Sequence, residues 1–464
     1  MNDASTTPAV PRSESPARPA GVLSVFDAIV IMVGLVVGVG IFKTPSIVAA
    51  NVASEWAFIG VWIAGGLITL VGALCYAELA SAEPHAGGEY HFLSRAYGKP
   101  VAMLFGWARC TVIQTGAIAA VAFMLGDYIS QILPLGTYSS AIYAALSVMF
   151  FTGVNIIGTT QSKTLQVLVT FIEIGALAAV ILFGFFGSAT TPVAPTPALP
   201  VETAALGTAM IFVLLTYGGW NEAAYLTGEL KDARRNIPKV LALGSFVLIA
   251  LYTLANLALL SILGLEGLRT SDAVAADMMR VVAGPSGETM VTLAVVVAAV
   301  STLNATIFTG SRVFYAMAQD LPALRWVGVW DGRGKTPANG HLTQGAITLA
   351  LIAMGAITRD GFKAMVDYTA PVFWGFLLLV GVAVFVMRWR YPERRPPYRV
   401  PLYPVTPILF CLTCAYMLHA SVMYTGVAGL AGLAVLAAGL PILLLRKKAD
   451  APIVATALRD DVST

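Results

Sequence analysis

Gly38-Val39-Gly40-Ile41-Phe42 and Tyr217-Gly218-Gly219-Trp220-Asn221 each fall near the middle of an apolar stretch long enough to cross a bilayer. In hydrocarbon an unpaired backbone N–H or C=O costs several kcal/mol, so an interrupted helix persists only where it lines a cavity or where a ligand completes its bonding. The two interruptions therefore predict a binding pocket near the membrane midplane. Each opens what reads as one half of a repeated domain, the pattern of an inverted-repeat secondary transporter.

The rest of the chain agrees with that setting. Of 464 residues, 58% are apolar and 11% charged, and the apolar residues form runs of about twenty rather than amphipathic stripes. A soluble chain of this length would carry about 25% charged residues. Apolar runs predict twelve spans, starting near residues 24, 56, 98, 137, 163, 203, 238, 286, 342, 361, 403 and 428. Residues 23–447 thus read as one all-α transmembrane domain. Its repeat halves, about 24–188 and 203–388, have five spans each, and two further spans occupy about 403–447. Residues 1–22, rich in Ser, Thr, Pro and Ala, and residues 448–464 read as cytoplasmic tails, the first of them disordered. Short helices are expected after the second span, over Gly87 to Tyr97, and in the loop between Gly264 and Pro285, where Ser271 caps Asp272-Ala273-Val274-Ala275-Ala276-Asp277.

Lysine and arginine mark the cytoplasmic side. They gather at Arg12 and Arg18, Arg95 and Lys99, Lys163, Lys231 to Lys239, Arg312 to Lys335, Arg388 to Arg399 and Arg446 to Lys448, whereas Asp127 to Gly136 and Ala189 to Val201 have none. Both termini should be cytoplasmic, in a multi-pass protein of the plasma or inner membrane. Four cysteines, with Cys411 and Cys414 one turn apart on an apolar helix, read as packing residues.

Gly34 and Gly38 at a four-residue spacing suit close helix packing. Gly38-Val39-Gly40 followed by Thr44-Pro45-Ser46 instead invites a helix to stop and restart, leaving N–H groups at Gly38, Val39 and Gly40 that suit a carboxylate. The double glycine after Tyr217 frees carbonyls at Tyr217 and Gly218 that suit an ammonium group. Together they describe a site for an α-amino acid. Trp220, at midspan, is expected to line the pocket.

These motifs resemble those of a known family. Gly34 to Ser46, Glu78 to Tyr90 with Gly87-Gly88-Glu89-Tyr90, and Tyr217 to Asn221 followed by Gly228-Glu229-Leu230-Lys231 and Arg235-Asn236-Ile237-Pro238 are similar to the amino acid permeases of the amino acid, polyamine and organocation superfamily. The nearest likeness is to its L-type amino acid transporter branch. Asn304-Ala305-Thr306, Ser311 to Phe314 and Tyr398-Arg399-Val400-Pro401 extend the resemblance over most of the chain. It implies a LeuT-type fold with alternating access and broken first and sixth spans that hold the substrate. Gly38, Val39 and Gly40 would then donate, Tyr217 and Gly218 accept, and Trp220 and Asn221 line the side-chain pocket. Leu215 stands where relatives often carry an aromatic gate.

Ionisable residues inside spans are costly and therefore informative. Lys43 and Glu222, each just beyond a break, are expected to pair with each other or to face an outer vestibule. Glu173 lies where relatives often carry a lysine on the fifth span. It would pair with Arg109, carry a proton, or bind a cation with Ser301 or Thr302. The four histidines have no ligand spacing, so no metal is expected, and no phosphate-binding loop or cofactor motif appears. Neither the catalytic group of an enzyme nor the filter of a channel is present. The sequence thus reads as a secondary transporter of amino acids, with polyamines or other organic cations as the alternative cargo. Its expected partners are that small molecule, the bilayer and a coupled proton among the candidates, with no nucleic acid.

Overall fold

The computed structural model describes residues 23–441 except 86, 158–162, 188–202, 229, 321–325, 330–336, 359, 394 and 425. Both expected tails and the 189–201 connection lie outside the described residues. Among the described residues the protein is all helical, and the sole β-type pairing is an isolated bridge from Leu23 to Leu230.

The first apolar stretch folds as helix α1 (Val25–Val36), a 3-10 turn (Val39–Phe42) and α2 (Thr44–Ala50). Ser24 and Asp27 form a reciprocal capping box that fixes the start of α1. Then follow α3 (Glu55–Ala82), the short α4 (Gly88–Tyr97), and a continuous span built of α5 (Lys99–Ala108), a π-turn (Arg109–Ile113) and α6 (Gln114–Ile132). Helices α7 (Ser139–Ile157) and α8 (Lys163–Phe186) complete this part. The second interrupted stretch consists of α9 (Thr203–Thr216), the loop Tyr217 to Gly219, and a 3-10 helix (Trp220–Gly228). Beyond it come α10 (Ala233–Thr270), α11 (Val274–Asp320), α12 (Ala338–Thr358), α13 (Gly361–Arg390), α14 (Val405–Tyr424) and α15 (Gly426–Ala437). Gly264 and Gly284, both at positive φ, kink α10 and α11, and between them Ser271 Oγ donates to Asp277 Oδ2 at 2.5 Å. The expected short helix thus occupies the start of α11.

Eight helices among the described residues are long and apolar enough to cross a membrane, which makes this a multi-pass membrane protein. The interrupted stretches fall short of that length because each break divides them. Helix α1 packs on the 3-10 helix Trp220–Gly228 and on α10, while α2 packs on α9. The two interrupted stretches therefore run antiparallel, the entering half of one beside the leaving half of the other.

Candidate functional site

The two breaks touch. At Gly219 φ is +102°, a conformation that L side chains rarely adopt, and a Cβ there would lie 3.1 Å from the carbonyl oxygen of Leu35. A Cβ on Gly40 would lie 3.5 Å from Thr216, an ordinary contact, and one on Gly38 would meet nothing closer than Thr302 Oγ1 at 3.9 Å. Thr44 Oγ1 ties the halves together, donating to Gly40 O at 2.8 Å and lying 2.7 Å from Thr216 Oγ1. Tyr252 Oη donates to the Val36 carbonyl at 2.7 Å, so the end of α1 is held from α10. Gly38, extended, opens the 3-10 turn without a side-chain cap, but its N–H donates to the Val36 carbonyl at 2.7 Å. Of the three expected donors Gly38 is thus corrected, and only the N–H groups of Val39 and Gly40 make no such bond among the described residues. Among the described residues no hydrogen bond reaches the carbonyl of Tyr217 or Gly218. These carbonyls thus lie where the two breaks meet, with Thr302 in ordinary contact distance of Gly38; Leu215, one turn earlier on α9, is half-exposed.

Trp220 and Asn221 face elsewhere. The Trp220 ring is buried edge-on against Tyr76, with centroids 4.8 Å apart, and near Phe410. Gly72 on α3 makes room for it, since a Cβ there would lie 2.9 Å from the indole. Asn221 Nδ2 donates to Glu89 Oε1 at 2.9 Å. Their expected place in a side-chain pocket is corrected: both side chains are spent on packing and on a carboxylate. The Tyr217 ring likewise packs on Trp62 and Tyr252, leaving its carbonyl as the group turned to the break.

The expected Lys43–Glu222 pair does not form. Because the interrupted stretches are antiparallel, the residue beyond one break lies toward one membrane face and the residue beyond the other toward the opposite face. Lys43 Nζ lies 3.3 Å from Asp127 Oδ2 and 3.3 Å from the Asp272 carbonyl. Glu222 instead accepts from Arg109 Nη2 at 2.6 Å, which also removes Arg109 as the partner of Glu173.

Arg109 anchors a network that the sequence did not announce. Its Nη1 donates to Glu89 Oε2 at 3.2 Å and to Tyr225 Oη at 3.1 Å. Glu89 also accepts from Tyr76 at 2.6 Å, Asn221 at 2.9 Å and Tyr225 at 3.1 Å. Burial pushes the Glu89 carboxyl above the ordinary carboxylate range, against the pull of Arg109. Two carboxylates thus share one guanidinium, placed by the π-turn, a feature frequent at functional sites. Glu89 lies on the predicted short helix, but no local spacing connects it to Arg109 or Glu222.

Glu173 is 3% exposed and has no hydrogen-bond or ion-pair partner among the described residues. Its helix α8 packs on α10 and α11. Ser301 is buried on α11, one residue before Thr302. No group of three or more metal-binding side chains occurs among the described residues.

Residues 23–440 match the profile of the family described as amino acid permease. The chain is 28% identical over 434 residues to the serine/threonine exchanger SteT of Bacillus subtilis, covering 91% of this chain and 96% of that protein. It is 28% identical over 421 residues to the human b(0,+)-type amino acid transporter 1, covering 89% of this chain and 84% of that one. It is 27% identical over 454 residues to the mouse large neutral amino acids transporter small subunit 2, covering 94% and 83% respectively.

Proposed function

The chain belongs to the amino acid permease family, a family of transporters and not of enzymes, and we propose that it moves α-amino acids by alternating access through the space between the two breaks. The observation that carries this reading is the pair of unbonded carbonyls at Tyr217 and Gly218 where the second break meets the first. Two acceptors suit the substrate ammonium, and the backbone N–H groups of Val39 and Gly40 suit its carboxylate, the Gly38 N–H being held by the Val36 carbonyl. Leu215 and Thr302 border the place where the side chain would lie. Full-length likeness to transporters and exchangers of amino acids supports that cargo. The polyamine alternative leaned on Glu222 as a second carboxylate for a dication, and that charge is engaged by Arg109.

In this reading the chain forms twelve spans in a LeuT-type five-plus-five inverted repeat followed by two further helices, with both termini cytoplasmic in the plasma or inner membrane. The face carrying Lys43 and Asp127 is then the outer one, and that carrying Glu89, Arg109 and Glu222 the inner one.

Gly40→Leu tests the site, since its Cβ is tolerated by Thr216 while the rest of the side chain fills the space between the breaks. Folded protein should persist, and amino acid uptake into proteoliposomes should fall at least tenfold. Wild-type uptake in this variant would remove the site. Gly218 is unsuited to the same test because a Cβ there would lie 2.7 Å from the Leu215 carbonyl.

Glu173 is the proposed proton carrier, because a buried carboxylate without a cation is stable in a membrane span chiefly when neutral. Glu173→Gln should lose accumulation driven by a proton gradient yet retain exchange of internal for external amino acid. Gradient-driven uptake at the wild-type level would exclude the role.

A further inference from the structure

A cavity of about 510 Å³ lies beyond the breaks, on the Lys43 side, lined in part by Lys43, Asn51, Asp127, Tyr138, Arg269 and Asp360. That volume falls within the range of small-molecule sites, ~300–1,000 Å³. The proposed central site does not use it.

Its charges are not equally free. Arg269 holds the carbonyls of Ala49 and Val52, at 3.1 and 2.9 Å, together with Glu266. Lys363 holds Asp367 at 3.0 Å. Lys43 and Asp127 hold each other at 3.3 Å, with side chains 14% and 30% exposed, and Lys43 also donates to the Asp272 carbonyl at 3.3 Å. Both side chains line the cavity, so a ligand seated there meets the pair directly. The ammonium and carboxylate it contains complement the two ends of a zwitterion, whose opposite charges lie a few Å apart. Parting them for such a ligand exchanges one internal ion pair for two new ones. A ligand with a single charge gains no such balance, because it satisfies one partner and strands the other.

We propose that this cavity is a second, weaker binding place for zwitterionic α-amino acids, in which Lys43 takes the carboxylate and Asp127 the ammonium. The inference rests on the reading of the chain as an amino acid transporter. Lys43 directly follows the 3-10 turn that contains Gly40, so a ligand seated there contacts the backbone segment that also borders the central site.

The experiment is saturation-transfer NMR with L-serine and L-leucine on the purified full chain. In Gly40→Leu, where the central site is filled, a saturable weak component should remain. Adding Lys43→Gln and Asp127→Asn should weaken that component at least tenfold, and the swapped pair Lys43→Asp with Asp127→Lys should retain it. As a second measurement, L-serine should slow maleimide labelling of Tyr138→Cys in the Gly40→Leu background, which keeps a readout if the neutralised variant fails to fold. Loss of all binding and protection in Gly40→Leu, with tight binding in the wild type, would overturn the second site and leave the central one standing. A residual component indifferent to both neutralisations would also overturn it. If the wild-type protein binds no amino acid, the transport reading itself fails.

Discussion

Arg109→Met is expected to abolish transport and to lower the stability of the protein in detergent by about 3–5 kcal/mol, the cost of stranding buried charges. Two carboxylates depend on this guanidinium. Glu89 is almost fully enclosed, while the Glu222 side chain is 34% exposed. Arg109→Lys should restore little, because Nη1 and Nη2 serve Glu89, Tyr225 and Glu222 at once and an ammonium cannot reproduce that planar fork. Glu222→Gln should be milder, since its carboxylate is partly hydrated and Arg109 keeps Glu89. The loss in Arg109→Met should also lessen as pH falls. Burial already raises Glu89, and without the cation that opposed this shift the carboxyl takes a proton more readily and ceases to be a buried charge. Thermal unfolding of the purified variants between pH 5 and pH 8 checks both statements. A variant as stable as wild type throughout would show that the network is not buried in the working protein.

Trp220→Ala should destabilise by about 3–5 kcal/mol, the cost of removing a buried indole from a packed core. Its ring occupies the recess over Gly72 between Tyr76 and Phe410. The preference order among amino acids should stay as in wild type, because the ring does not face the space between the breaks. Uptake of a panel of labelled amino acids, normalised to folded protein, distinguishes the outcomes. A reordered panel in a stable variant would return Trp220 to the substrate pocket.

What the sequence made legible follows from local chemistry. Glycine pairs, proline and long apolar runs act within a few residues, so the two interruptions and the starts of α3, the Lys99–Ser130 span, α8, α9 and α13 could be placed within a few positions. Side-chain pairing could not be placed in this way. Arg109 lies 20 residues from Glu89 and 113 from Glu222, and nothing in their spacing favours those partners over Glu173. Lys43 and Glu222 looked equivalent because each follows a break. The direction of travel through the membrane separates them, and that is a property of topology. Trp220 was read from its depth alone, whereas the direction of its ring is set by the recess that Gly72 opens on a different helix.

The π-turn at Arg109–Ile113 also fixes an angular phase. Arg109 and Asp127 sit 18 positions apart on one continuous helix. In an uninterrupted α-helix 18 residues complete about five turns, so both side chains would point in the same compass direction. The extra residue accommodated by the wider turn rotates one end against the other by roughly 100°. That offset lets a single rod address the Trp220–Gly228 segment with Arg109 and the start of α2 with Asp127. Removing one residue from the turn would bring the two ends back into phase and aim at least one of them at the wrong neighbour, even though no charged residue had been touched.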